Sequence, residues 1–131
     1  MTISALVLVV EDNPRNRKLV TVVLEHAGHR ILEAQTAKEG IALARANAPD
    51  LILMDIQLPG MDGLEALEHL RADGDTASIP VAALTAYAMT DDRERLLAAG
   101  FDAYLEKPIT ARDLPGQVAA LLDRDRMEAR E

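Results

Sequence analysis

The chain has 131 residues, no cysteine and a formal net charge of −8 at pH 7, and 49% of its residues are hydrophobic. This size and composition fit one domain with its own core, and the lack of cysteine excludes disulfides, thiol catalysis and cysteine-bound metals. The acidic balance argues against nucleic-acid binding. Because the sequence shows neither a signal peptide nor a bilayer-length apolar run, we expect a soluble cytoplasmic domain without membrane contact.

Short apolar runs alternate with amphipathic patterns along the chain, and this alternation predicts strands separated by helices. The predicted strands are Ala5 to Val10, Arg30 to Ala34, Asp50 to Met54, Pro80 to Leu84 and Asp102 to Leu105. The predicted helices run from Pro14 to about Ala27, from the capping box at Thr36 to about Asn47, from Leu64 to about Ala72, from the cap Thr90 to Gly100, and from Thr110 or Asp113 to Leu122.

Capping residues set the limits of several predicted helices. Asn13 is a good N-cap, and Pro14 suits the first helical position. Thr36 and Glu39 match a capping box, and Gly28 fits the position after a helix end. The residues predicted to face the core are Leu19, Val20, Val23 and Leu24 in the first helix, Leu96 and Leu97 in the fourth, and Leu114, Val118, Leu121 and Leu122 in the fifth.

Five strands alternating with five helices predict a parallel sheet covered on both faces. The expected architecture is a flavodoxin-like doubly wound α/β fold with strand order 2-1-3-4-5, in which ligands bind at the carboxyl ends of the first and third strands. We assign residues 1–122 to this domain. Residues 123–131, where charges alternate without an apolar face, are assigned to a charged helix extension or tail.

The stretch from Leu51 to Gly63 is the most informative part of the sequence. Its apolar run, Leu51 to Met54, ends at Asp55, and a Pro-Gly turn and a second glycine follow. A short apolar run bounded by turn signals is typical of a strand buried on both faces. We therefore expect Asp55 at the carboxyl end of a central strand, although an ordinary turn-forming aspartate also fits this stretch taken alone.

Polar side chains follow three other predicted strands at the same edge of the sheet. Glu11 and Asp12 follow the first strand, Thr85 follows the fourth, and Lys107 follows the fifth. Each residue alone has an ordinary explanation as a helix-dipole partner, a strand residue or a turn. Their convergence with Asp55 at one edge makes that explanation weak for the group.

Three neighbouring carboxylates repel one another, and a hard divalent cation relieves that repulsion. We expect Mg²⁺, or Mn²⁺ as its substitute, to bind Asp12, Asp55 and the backbone carbonyl of Gln57 directly. Glu11 is expected to bind the ion through water. The Asp55 carboxylate can act as a nucleophile and form an aspartyl phosphate, while Lys107 and Thr85 contact the phosphoryl oxygens.

These segments resemble the response-regulator receiver domains of two-component signalling. The matching segments are Val10 to Asn13, Pro49 to Gly63, Pro80 to Ala86 and Ala103 to Pro108. The resemblance covers Leu6 to Leu122 and implies that Asp55 receives its phosphoryl group from a histidine kinase or a histidine phosphotransfer protein. It also implies a cis peptide bond between Lys107 and Pro108. Two of the segments are most similar to single-domain DivK-type regulators and occur in receivers of hybrid kinases as well.

The resemblance further implies a switch in which Thr85 moves toward the phosphoryl group and Tyr104 turns inward. Gln57 and Tyr87 lie two residues after Asp55 and Thr85, so we expect both side chains to border the path of an attacking water. A protein of this kind catalyses only its own phosphorylation and dephosphorylation and is not otherwise an enzyme.

Three other classes of protein fit the sequence less well. A flavin mononucleotide binder needs a phosphate-cradling loop after the first strand, where Glu11 and Asp12 would repel the phosphate. A magnesium-dependent phosphohydrolase needs a general acid near its nucleophile, and Gln57 cannot act as one. A nucleotide-binding switch needs a glycine-rich loop with lysine and serine or threonine, which the sequence lacks.

The expected output is a phosphorylation-dependent protein contact, because only nine residues follow Leu122 and these are too few for another domain. The expected surface is the face formed by the fourth helix, fifth strand and fifth helix. It contains Tyr104, Ala88, Met89, Ala111 and Arg112. We expect a monomer or weak dimer. Two roles fit the sequence: an effector that regulates a partner, and a phosphate shuttle or sink in a phosphorelay.

Overall fold

The computed structural model describes residues 4–86 and 90–129, including their side chains except at 90–91 and 124–129. The elements in chain order are β1 (Leu6–Val10), α1 (Pro14–His26), β2 (Arg30–Ala34), α2 (Ala37–Asn47), β3 (Leu51–Asp55), α3 (Gly63–Ala72), β4 (Val81–Thr85), α4 (Thr90–Ala99), β5 (Ala103–Glu106) and α5 (Leu114–Ala129). None of the helices in these ranges combines the length and apolar character needed to cross a bilayer.

The five strands form one parallel sheet with the order β2-β1-β3-β4-β5. This order confirms the doubly wound fold predicted from the sequence. Val10 pairs with Met54 at the end of β1 and β3, and Asp55 pairs with Leu84 in β4. The register therefore brings the carboxyl ends of the central strands to the same edge of the sheet.

Each face of the sheet has its own apolar cluster. Alternate strand residues face opposite sides, so Val7 and Val9 pack with Leu24 of α1 and Leu114 of α5. The opposite cluster includes Leu8, Val10, Ile41, Leu67 and Leu96. Because helices cover both faces, β3 and β4 are buried along their whole lengths, which explains their nearly continuous apolar sequences.

Side-chain caps begin three of the helices. The Asn13 side chain accepts hydrogen bonds from the backbone N–H groups of Arg15 and Asn16. Thr36 accepts one from the Glu39 N–H, so both predicted caps are confirmed. Asp62 caps α3 in the same way, which places the start of α3 at Gly63 instead of the predicted Leu64.

The last three strands extend one residue beyond their predicted ends. Asp55 pairs with Leu84, and Thr85 pairs with Glu106, so these residues belong to the ladder instead of following it. The helix α4 begins at Thr90, the residue predicted to cap it. At the start of α5, Asp113 directly precedes the helix and donates its N–H to the Thr110 hydroxyl.

Two of the predicted core leucines are exposed. Leu19 in α1 keeps 36% of its surface accessible and Leu97 in α4 keeps 48%, whereas Leu96 is fully buried. Only a stripe of each helix faces the sheet, and adjacent residues on a helix point about 100° apart. Leu19 and Leu97 adjoin the buried Val20 and Leu96 and therefore lie at the edge of the stripe or outside it.

Candidate functional site

Three carboxylates gather at the carboxyl ends of β1 and β3. Glu11 and Asp12 directly follow β1, and Asp55 is the last residue of β3. One oxygen from each of the three lies within 4.8 Å of the others. Glu11 and Asp55 are buried and Asp12 is exposed, so the cluster has a covered interior and one side open to solvent.

Lys107 reaches this cluster from the loop after β5. Its Nζ lies 2.9 Å from Oδ2 of Asp55 and 3.2 Å from Oε2 of Glu11. The backbone N–H of Lys107 donates to the carbonyl of Thr85 at 2.7 Å, which ties the lysine to the end of β4. The Lys107–Pro108 peptide bond is cis, as the resemblance implies.

Proximity and burial change the protonation equilibria of the cluster. Burial, together with the hydrogen bond and charge of Asp55, raises the pKa of Glu11 from 4.5 to about 7, against the opposing effect of Lys107. Burial alone would lower the pKa of Lys107, but the hydrogen bonds and charges of Asp55 and Glu11 hold that pKa above its ordinary value. The single positive charge of Lys107 therefore does not fully compensate the negative charge of two buried carboxylates.

The donor set fits a hard divalent cation. Its groups are carboxylate oxygens, which Mg²⁺ prefers, and the exposed Asp12 leaves room for the waters that Mg²⁺ retains. A divalent cation would also compensate the negative charge that Lys107 leaves uncompensated. The sequence-predicted ligands Glu11, Asp12 and Asp55 therefore lie together in an arrangement that can hold Mg²⁺.

The loop between β3 and α3 is closely packed on Asp55. The backbone N–H of Gln57 donates to Oδ1 of Asp55 at 2.8 Å, and the Gln57 side chain is exposed. A Cβ built on Gly63 would lie 2.6 Å from the Asp55 carbonyl oxygen and 2.7 Å from Cα of Ile56. Only glycine fits this approach without a shift of backbone atoms.

The residues of the predicted switch lie on β4 and β5. Thr85 is buried at the end of β4, and Tyr104 is half-buried on β5 with the guanidinium of Arg93 over its ring. Among the residues predicted for the contact surface, Ala111 and Arg112 are exposed before α5. The predicted positions Tyr87, Ala88 and Met89 lie outside the described residues.

Two residues of α1 contact the site without having been predicted from the sequence. The Asn16 amide donates to Oε1 of Glu11 at 3.2 Å, and Nη1 of Arg17 donates to the Glu11 carbonyl at 2.9 Å. The only sequence signal was their position in the first turn of a helix that starts beside Glu11. That position puts both side chains within reach of the end of β1.

The fold and this edge of the sheet define a doubly wound α/β protein with an acidic, lysine-containing site at the carboxyl ends of β1 and β3. The chain belongs to the response regulator receiver domain family, whose model matches residues 7–119. Phosphorylation-based signalling in two-component systems is the general function of this family. Such domains interact with histidine kinases or histidine phosphotransfer proteins.

Named relatives agree with this assignment. The chain is 45% identical over 104 residues to the polar-differentiation response regulator DivK of Brucella anthropi, an alignment that covers 79% of this chain and 85% of that protein. The DivK of Brucella melitensis biotype 1 matches with the same identity and coverage.

Two solved structures share the fold over most of their length. The chemotaxis response regulator CheY4 of Vibrio cholerae superposes with a TM-score of 0.85 at 26% identity, covering 91% of this chain and 99% of that chain. The receiver domain of the sensor histidine kinase PA1611 of Pseudomonas aeruginosa gives a TM-score of 0.80 at 34% identity, covering 93% and 97%. That structure has a magnesium ion coordinated in its active site cleft.

Proposed function

We propose that this chain is a response regulator that accepts a phosphoryl group on Asp55 from a histidine kinase or a histidine phosphotransfer protein. The observation that carries the proposal is the buried Asp55 carboxylate, 2.9 Å from the Lys107 ammonium and within 4.8 Å of Glu11 and Asp12. The magnesium ion in the PA1611 receiver domain supports the same use of this cluster.

In the proposed reaction, an Asp55 oxygen attacks the phosphorus of a phosphohistidine. The new P–O bond forms as the P–N bond breaks, and the imidazole leaves with the bonding electron pair and takes up a proton. During the transfer, Lys107 pairs with one phosphoryl oxygen and the Thr85 hydroxyl donates a hydrogen bond to another. These positioned charges and donors stabilise the negative charge of the transition state.

We assign direct Mg²⁺ contacts to Asp12, Asp55 and the backbone carbonyl of Gln57, and a water-mediated contact to Glu11. When bound, the ion supplies charge neutralisation for the incoming phosphoryl oxygens. Gln57 and Tyr87 remain our candidates for bordering the path of the water that hydrolyses the acyl phosphate. The chain catalyses no reaction beyond its own phosphorylation and dephosphorylation.

We further propose that the output is a phosphorylation-dependent contact through the surface of α4, β5 and α5, made in the cytoplasm by a monomer or weak dimer. Tyr104 and the exposed Ala111 and Arg112 lie on this surface. Its nearness to Thr85 and Lys107 supports a link to the phosphoryl group. The net charge of −8 supports a protein partner over nucleic acid.

A phosphate shuttle or sink in a phosphorelay is the second candidate. It is favoured by an apolar groove of about 500 Å³ between α1 and the start of α5, which Val22, Val23, His26, Ala27, Ala111 and Pro115 line. Val22 is 53% exposed. A groove of this kind suits the apolar face of a helix, such as one that carries a phosphohistidine.

Intact-mass measurement after incubation with acetyl phosphate tests the central proposal. The wild type should gain one phosphoryl group only when Mg²⁺ or Mn²⁺ is present, and Asp55→Asn should gain none. The control is Asp123→Asn, which removes an exposed carboxylate of α5 that is distant from Asp55 in the sequence. This variant should behave as wild type. Equal phosphorylation of Asp55→Asn would overturn the proposal.

Transfer from a phosphorylated histidine phosphotransfer protein separates the two outputs. A shuttle should return the phosphoryl group to a second histidine protein and should bind both proteins even as Asp55→Ala. An effector should retain the phosphoryl group and should lose its partner in the Asp55→Ala variant.

A further inference from the structure

Asn16 makes a specific contact with a carboxylate of the site. It lies in the first turn of α1, and its Nδ2 donates to Oε1 of Glu11 at 3.2 Å. The Glu11 residue is only 1% exposed. Asn16 and Lys107 both donate hydrogen bonds to this carboxylate.

The two donors differ in what else they bind. Lys107 is shared, because its Nζ is closer to Asp55, at 2.9 Å, than to Glu11, at 3.2 Å. In the proposed reaction Lys107 also turns to the phosphoryl group. Asn16 carries no charge and has no such second role at the site. Its hydrogen bond to Glu11 therefore persists when Lys107 moves.

The first turn of α1 fixes the Asn16 amide in place. The Asn13 side chain accepts hydrogen bonds from the backbone N–H groups of Arg15 and Asn16. Nη1 of Arg17 donates to the Glu11 carbonyl at 2.9 Å, and its Nε lies 3.5 Å from Glu33. The first turn of α1 is therefore fixed to the end of β1. The Asn16 amide can donate to Glu11 without any further ordering of the backbone around it.

We propose that Asn16 is a positioning residue that holds the Glu11 carboxylate toward Asp12 and Asp55 and thereby sets the affinity of the site for Mg²⁺. This inference rests on the proposed function, since it requires that the cluster binds the ion. Without Asn16, Oε1 of Glu11 loses an uncharged donor, and the carboxylate turns toward Lys107. Loss of a residue that orients a metal-binding group lowers metal affinity by about 10–100-fold.

The test is calorimetric titration of Mg²⁺ into the wild type and Asn16→Leu, which keeps the shape of the side chain but removes its donor. We expect about tenfold weaker binding in the variant. The matched control is Asn47→Leu, which removes an exposed amide that donates to the Leu43 carbonyl at the end of α2. This control should bind Mg²⁺ as wild type does.

A second measurement separates positioning from general stability. The rate of phosphorylation by acetyl phosphate should be lower in Asn16→Leu at limiting Mg²⁺ and should return to the wild-type rate at saturating Mg²⁺. Thermal unfolding without metal should differ little between the Asn16→Leu and Asn47→Leu variants. If Asn16→Leu does not fold, Asn16→Ala removes the same donor.

Each outcome has a defined meaning. Wild-type protein that binds no Mg²⁺ would overturn the metal site itself, and this inference with it. Wild-type protein that binds the ion while Asn16→Leu binds it equally well would overturn only the role of Asn16. Equal weakening by Asn16→Leu and Asn47→Leu would also overturn that role, because the effect would then be general.

Discussion

The guanidinium of Arg93 lies over the ring of Tyr104, 5.2 Å from the ring centroid. This cation–π contact joins α4 to β5, the two elements that form the middle of the proposed output surface. Tyr104 is half-buried in this arrangement. A ring that turns inward after phosphorylation has to give up this contact, so Arg93 favours the present orientation.

We predict that Arg93→Ala shifts the Tyr104 ring toward the inward orientation in the unphosphorylated protein. A cation–π contact at an exposed site contributes about 0.5–1 kcal/mol, so the ratio of the two orientations should change about two- to fivefold. Ring resonances of isotope-labelled tyrosine measure this ratio. Arg95→Ala is the control, because Arg95 lies on the same helix but pairs with Asp92. A Tyr104 signal that is identical in Arg93→Ala and wild type would contradict the prediction.

Thr85 should couple the phosphoryl group to Tyr104. We predict that Thr85→Ala is phosphorylated on Asp55 nearly as fully as wild type but shows a much smaller change at Tyr104. A hydrogen bond to a charged group contributes about 1.5–3 kcal/mol, so the bias toward the inward ring should fall about tenfold or more. Intact mass reports the first property and tyrosine resonances report the second. The control is Thr85→Ser, which keeps the hydroxyl and should retain the coupling. A full Tyr104 response in Thr85→Ala would show that Thr85 does not couple the phosphoryl group to Tyr104.

Replacing Gly63 should lower stability and slow phosphorylation, because its backbone lies very close to that of Asp55. In Gly63→Ala the new Cβ would meet backbone atoms of Asp55 and Ile56 at 2.6 and 2.7 Å, so the start of α3 must move. We predict a loss of about 1–3 kcal/mol in the free energy of unfolding and slower phosphorylation of Asp55. Urea unfolding and intact-mass time courses measure the two effects.

The control for that substitution is Gly116→Ala in α5. A Cβ on Gly116 meets nothing within 4 Å, and alanine in a helix is more favourable than glycine by about 0.5–1 kcal/mol. This variant should therefore be as stable as wild type or more stable, with normal phosphorylation. If Gly63→Ala behaves like Gly116→Ala, the backbone around Asp55 is more adaptable than its close packing indicates.

The sequence was sufficient to predict the sheet order and the gathering of Asp55 with Glu11 and Asp12. Parallel strands place their carboxyl ends at one edge, so strand assignment alone brings those residues together. The contact of Asn16 with Glu11 depends on the rotamers of two side chains, which no periodic pattern encodes. The exposure of Leu97 was missed for a related reason, since the pattern gives the direction of an apolar stripe but not its width.

Long-range hydrogen bonding was also invisible in the sequence. Arg71 of α3 donates to the carbonyls of Ala77, Ile79 and Gly100 and pairs with Asp102. Asp102 in turn accepts from the Val81 N–H. These partners lie up to 31 residues away from Arg71, and only the assembled fold brings them together at the start of β4 and β5.

His29 should make the stability of the fold depend on pH. Its side chain is buried, and its Nδ1 accepts a hydrogen bond from the Ala5 N–H at 3.1 Å. Burial lowers the pKa of His29 from its ordinary value of 6.5, so the unfolded chain binds this proton more readily than the folded protein does. The His29 contribution to stability is therefore complete above pH 6.5 and is lost as the pH falls from there toward the lowered pKa.

Comparison of His29→Asn with wild type isolates this effect from that of Glu11, which has the opposite sign. The pKa of Glu11 rises from 4.5 to about 7 on folding, so its contribution falls as the pH rises through that window. We predict that urea unfolding between pH 5 and pH 8 shows a smaller loss of stability toward low pH in His29→Asn than in wild type. The exposed His69, changed to Asn, should leave the wild-type pH dependence in place. Parallel curves for wild type and His29→Asn would mean that the His29 imidazole accepts its proton in the folded protein as readily as in the unfolded chain.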